Sequence, residues 1–135
     1  MQKNLKKSDH AALMSIVPES VYVPNCSFDE FEELVDGIHI KWSIARQLEY
    51  QSAFYAEIPE LAVLVAGDML YNNCHLFLGE RLQDGQPNAT QWLSQLRNID
   101  FSIYRSIIPG HGAVGDSGMV QTCIEYLEAI IPIIT

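Results

Sequence analysis

Leu61-Ala62-Val63-Leu64-Val65-Ala66-Gly67-Asp68 and Ser106-Ile107-Ile108-Pro109-Gly110-His111-Gly112 each bring an apolar run to a stop at a residue that can bind a metal. A continuous apolar run needs cover on both faces of a sheet, so Leu61 to Ala66 predicts a central strand. Gly67 lets the backbone turn sharply and leaves the Asp68 carboxylate at the sheet edge. In the second stretch Pro109 sets the approach, while Gly110 and Gly112 remove side chains on either side of the His111 imidazole. Open α/β sheets place their chemistry in the crevice outside the carboxyl ends of strands, where both residues fall.

Working outward, Ser52 to Ile58 predicts a further strand that Pro59-Glu60 turns into the apolar run. Asp36-Gly37 lies between Phe28 to Val35 and Ile38 to Ile44, and an Asp-Gly pair between such runs is a strong hairpin signal. In the second arm Ile38, Ile40, Trp42 and Ile44 alternate with His39, Lys41 and Ser43, which predicts one buried and one wet face. The acidic residues Asp29, Glu30, Glu32 and Glu33 are interrupted by Phe28, Phe31 and Leu34 and read as the wet side of a strand or turn.

After Asp68 the pattern changes to helix and loop, with Gly79 and Asp84-Gly85 as breakers. Asn88 or Thr90 can cap a helix carrying Trp92, Leu93 and Leu96. Tyr104 to Ile108 predicts a last strand, and Asp116 or Ser117 starts a helix through about Ile130 with Val120, Cys123, Ile124, Leu127 and Ile131 as its apolar stripe. Upstream, residues 1–17 form a short helix or tail that Pro18 ends, followed by an extended Val21-Tyr22-Val23. Strands first, then helix, strand, helix, predict one α/β (α+β) domain over residues 1–135: a mixed β-sheet with helices on one face. The other face would be exposed apolar surface that something must cover.

The composition fits a globular chain: 135 residues, 48% hydrophobic and 19% charged. The formal net charge is −9, and Lys3, Lys6 and Lys7 hold several of the few basic charges, so the remaining body is more acidic still. Nucleic acid and anionic membranes are therefore not expected partners. No segment has the roughly 18 apolar residues of a membrane span. The basic start is followed by Ser8-Asp9-His10 where a signal peptide needs an apolar stretch, so the expected location is cytoplasmic. Cys26, Cys74 and Cys123 show neither a disulfide framework nor zinc-knuckle spacing and read as buried free thiols.

The order of these features resembles the metallo-β-lactamase fold superfamily of metal-dependent hydrolases. That family's carboxy-terminal half runs through a hairpin, a Pro-Glu turn, a strand ending in Gly-Asp, a helix, a strand ending in Pro-Gly-His-Gly, and a final helix. The matching residues here are Ile58-Pro59-Glu60, Leu64 through Asp68 to Met69-Leu70-Tyr71, Trp92-Leu93 with Leu96, and Ile107-Ile108-Pro109-Gly110-His111-Gly112. The likeness covers about Val21 to Ile130. It implies that Asp68 stands at the family's metal-bridging aspartate and His111 at its last histidine ligand.

The departures are as informative. The family's His-x-His-x-Asp-His cluster has no counterpart in this chain, and its further histidine ahead of the Pro-Glu turn would fall near Ile44 to Ser52, where Glu49 is the only acidic residue and no histidine occurs. The chain thus looks like the second half of an αββα sandwich standing alone. His75, after Cys74, lies near where some relatives carry a histidine and is a doubtful third ligand, with a substrate-facing or surface role equally open. His39 reads as solvated, and His10 has no evident partner.

A catalytic zinc takes three protein ligands and keeps one open position, and a two-metal site needs more. Asp68 and His111 alone fall short. The preferred expectation is a truncated, non-catalytic protein without a cofactor and of unknown small-molecule ligand, homodimerising through its bare sheet face. The alternative is a hydrolase using zinc, manganese or iron, with a site completed across the dimer by Asp68 and His111. A third is that a separate chain supplies the other half. Small orphan chains of this kind also resemble proteins carried on mobile gene cassettes.

Overall fold

Asp36 and Gly37 both take positive φ (50° and 82°), the pair of left-handed residues that a two-residue hairpin turn matched to strand twist requires. They fold β1 (Phe31–Val35) back on β2 (Ile38–Arg46) in the register Val35 opposite Ile38 and Phe31 opposite Trp42. The structure, a computed structural model, describes residues 30–46, 48–49, 52–78 and 88–134. The expected helix or tail over 1–17, the Val21-Tyr22-Val23 segment, His10, Asp29 and Cys26 lie outside the described residues.

β3 (Ser52–Ile58) and β4 (Val63–Tyr71) continue the antiparallel meander, and β5 (Ser106–His111) adds parallel to β4, giving the strand order β1-β2-β3-β4-β5. Pro59 opens a single 3₁₀ turn between β3 and β4, closed by Ala62 at φ 50°. A parallel neighbour needs a crossover, which holds α1 (Ala89–Asn98); α2 (Ser117–Ile134) follows β5. Among the described residues no helix is long and apolar enough to cross a membrane.

Both helices pack on one face, as the sequence pattern predicts. Trp92, Leu93 and Leu96 of α1 and Met119, Val120, Cys123 and Leu127 of α2 share a core with Leu64, Ala66, Met69, Leu70 and Ile107 of the sheet. The fully buried Trp92 donates from Nε1 to the Met69 carbonyl at 3.0 Å. Outside the core an Arg97–Glu128 ion pair joins α1 to α2.

Alternation along β2 separates the two faces but does not say which one the helices take. Ser43 and Ala45 are the β2 residues that are buried, at 7% and 2% exposure, whereas the Ile38–Ile44 set lies on the side away from the helices with Ile38 still 38% exposed. Cross-strand partners share a face. The registers Phe31–Trp42, Trp42–Ala56, Ala56–Val65 and Val65–Ile108 therefore define one apolar sheet face opposite the helices, on which Val35 (44%), Phe54 (47%) and Ile108 (39%) remain exposed.

β4 also runs further than expected. It does not end at Asp68 but continues to Tyr71, with register shifts against β5 after Val65 and after Gly67. These irregularities break strict alternation, so Met69, Leu70 and Tyr71 are buried in succession. The final helix likewise passes Ile130 to Ile134, carrying Pro132 in its last turn.

The thiols divide by depth. Cys74 is exposed, against the buried reading made from sequence, because it lies in the loop after β4; Cys123 is buried and donates to the Tyr71 carbonyl at 3.0 Å. Burial pushes the Cys123 thiol above its ordinary range. Iodoacetamide at pH 8 is expected to alkylate Cys74 within minutes and Cys123 only after denaturation, as read by peptide mass spectrometry; early labelling of Cys123 would contradict this packing.

Candidate functional site

The two motifs meet because β4 and β5 are parallel neighbours whose carboxyl ends coincide. Tyr71 and His111 are register partners at the last rung of this pair. Beyond it Asn72 joins the loops: its amide N donates to the His111 carbonyl at 2.8 Å and its Nδ2 to the Ala113 carbonyl at 2.8 Å. Behind them Ile107 and Gly115 exchange two backbone bonds at 2.8 and 3.0 Å, folding the chain after His111 back along β5.

Glycine is required where these segments touch. A Cβ on Gly110 would sit 2.1 Å from Asp68 Oδ1 and 2.8 Å from the Asp68 amide N, and one on Gly112 would sit 2.0 Å from the Asn72 carbonyl oxygen. Gly112 also takes φ +92°, which a side chain resists.

In this frame Asp68 Oδ1 lies 3.3 Å from His111 Nε2, with both side chains about half exposed. The Tyr71 ring packs on the His111 ring at 4.4 Å between centroids and edge-on to Trp92 at 6.2 Å. Its hydroxyl donates to Glu49 Oε2, and Glu49 is buried at 8% exposure. Tyr71 thus links Glu49 to His111. His75 is exposed beside Tyr126, ring centroids 5.7 Å apart, and forms no three-residue metal-binding group with Asp68 and His111. His39 is exposed, yet it pairs with Glu60 through both Nδ1 and its backbone N–H. The Glu60 backbone and then the His39 ring hold the Glu60 carboxyl below its ordinary range.

Two donors of one tetrahedral zinc, each about 2.1 Å from the ion, stand roughly 3.4 Å apart. The Asp68–His111 spacing matches that figure, and the donor types suit zinc, manganese or iron. The count does not match: no group of three His, Cys, Asp or Glu that could hold a metal occurs among the described residues. Two donors leave a hydrolytic metal without a fixed geometry, so the described residues of one chain do not fit a resident catalytic ion.

Sequence reasoning located Asp68 and His111 and missed what surrounds them. Tyr71, quoted only as part of the β4 motif, is the contact between Glu49 and His111. Nothing in the sequence marks Asn72 as the link between the loops. Asn88, expected as a helix cap, makes no side-chain cap bond; its Nδ2 donates instead to the Leu48 carbonyl, and its buried Oδ1 has no hydrogen-bond partner among the described residues.

No protein-family model matches the sequence, and no curated protein does. Solved structures do match. The metallo-β-lactamase from Pontibacter korlensis superposes with a TM-score of 0.62 at 15% identity, over 87% of this chain and 54% of that one. The metallo-β-lactamase DIM-1 gives 0.59 at 20% identity, over 92% and 56%. The stereoselective inverting sec-alkylsulfatase Pisa1 from Pseudomonas sp. gives 0.54 at 17% identity, over 82% and 18%. The chain spans about half the length of the metallo-β-lactamases it matches. At these identities the likeness shows the fold alone, and with the parallel β4–β5 pair and its two terminal motifs it places the chain in the metallo-β-lactamase fold, of which it forms the carboxy-terminal half.

Proposed function

We propose that this chain is a non-catalytic half-sandwich that acts by association, its apolar sheet face covered by a second copy of itself. The observation that carries this reading is the ligand deficit: Asp68 and His111 meet at 3.3 Å with no third metal-binding side chain beside them among the described residues, while Glu49 is engaged by Tyr71. The glycine-dependent contacts around Gly110 and Gly112 support a folding role for the same motifs, because they hold the ends of β4 and β5 together whether or not a metal binds. The apolar face opposite the helices supports association, since a monomer would leave it in water.

A second reading is favoured by one distance. The 3.3 Å separation suits a shared ion, so a pair from each of two copies would make a four-ligand site for a hydrolytic metal. Mass spectrometry of protein purified without chelators separates the two. The expected result is a dimeric mass by light scattering, less than one tenth of an equivalent of zinc, manganese or iron, and no hydrolysis of β-lactam, ester, thioester or alkyl sulfate probes. Stoichiometric metal that disappears in His111→Ala, together with hydrolysis, would replace the first reading by the second.

A further inference from the structure

Glu33 and Arg46 are charged side chains at opposite ends of the β1–β2 part of the apolar face. Glu33 of β1 lies level with Ile40, its register partner; Arg46 ends β2 opposite Ser52. Alternation puts both on the side away from the buried Ser43 and Ala45. The level of Ile40 and Arg46 are six residues apart along β2, about 20 Å at roughly 3.3 Å per residue. Glu33 accepts a bond from Trp42 Nε1 at 2.7 Å, which fixes its carboxylate over the face, and Arg46 forms no ion pair among the described residues.

Resting on the pairing reading above, we infer that the second copy docks face to face about a two-fold axis that crosses the strands near Ser43, so that each Glu33 pairs with the partner subunit's Arg46. Sandwiched sheets lie about 10 Å apart with interdigitating side chains, within joint reach of a glutamate and an arginine. A two-fold axis along the strands would instead leave both Glu33 residues at one end of the contact and both Arg46 residues at the other. Of the two face-to-face arrangements, only the axis across the strands can pair Glu33 with Arg46, because an axis along the strands keeps each of them at its own end. The net charge of −9 sharpens the choice, because two such chains repel except where the contact has few carboxylates or pairs them.

Charge reversal tests the axis. Glu33→Arg makes each chain less acidic, so general electrostatics would tighten the dimer; the proposed axis predicts the opposite, about tenfold weaker association, because two Arg–Arg contacts replace two ion pairs. Arg46→Glu weakens it similarly, and the double variant Glu33→Arg/Arg46→Glu returns to within about threefold of the wild type. Glu33→Gln keeps the Trp42 bond and loses only the attraction, which controls for disturbance of β1. Dissociation constants come from light scattering on dilution at low salt. A wild-type monomer would overturn the pairing reading itself. A dimer that Glu33→Arg leaves unchanged or tightens, or a double variant no better than the singles, would overturn the axis while leaving the pairing in place.

Discussion

Gly112→Ala is expected to destabilise the fold by about 3 kcal/mol or more, measured as a shift in the urea midpoint at unchanged slope. Three effects act together. The φ of +92° costs a side chain about 1 kcal/mol. The added carbon would meet the Asn72 carbonyl oxygen at 2.0 Å, and since that is backbone the two segments must separate. Separation breaks the bonds from Asn72 to the His111 and Ala113 carbonyls, each contributing about 1 kcal/mol. Gly110→Ala should do comparable damage, because its new carbon would meet the backbone of Gly67 and Asp68 at 2.8 Å. Gly37→Ala supplies the control: its φ is +82° but nothing lies within 4 Å, so about 1 kcal/mol is expected. If Gly112→Ala cost no more than Gly37→Ala, the tight contact of the two loops would be wrong.

Trp92→Ala should cost about 4 kcal/mol, the range for deleting a fully buried aromatic side chain, with a further penalty because the Met69 carbonyl loses its donor inside the core. Trp92 lies where α1 meets β4 and touches Tyr71 edge-on, so its loss also loosens the support under His111. Trp92→Phe retains most of the packing and removes only the donor; about 1–2 kcal/mol is expected. Far-ultraviolet circular dichroism in urea reads both, and Trp42 remains as a fluorescent reporter of the sheet. Equal costs for the two variants would show that the hydrogen bond, rather than the volume, dominates this position.

Most of the fold was legible because its signals are local. The Asp36-Gly37 turn, the strand over Ser52–Ile58, the Trp92 and Leu127 helices and the order of elements each follow from short-range pattern, and the structure has them at nearly those positions. The misplaced boundaries share one cause. β4 passes Gly67-Asp68 to Tyr71 because register shifts against β5 absorb the glycine, and such irregularities depend on a strand about forty residues away. Ser43 and Ala45 point to the helices, while the more apolar alternate set does not, because hydrophobic alternation is the same whichever layer covers it.

Asp68 and His111 were identified from sequence as ligand-type residues at strand ends, and their meeting at 3.3 Å follows from the parallel pairing of β4 with β5. The fate of the third position was not legible. Glu49 carries a metal-binding side chain in the right stretch, yet Tyr71 engages it, and that hydroxyl contact arises only once the β4 register shifts turn Tyr71 inward.

By itself the sequence determined the element types, the sheet-then-helix order and the two motif-bearing strand ends, all properties of residue identity and short-range spacing. Tertiary structure alone decided which sheet face the helices cover, how Asn72 and the glycines lock the two loops, and where Glu49 sits. Those depend on contacts between residues distant in the chain, whose geometry is set by strand register and packing rather than by local preference.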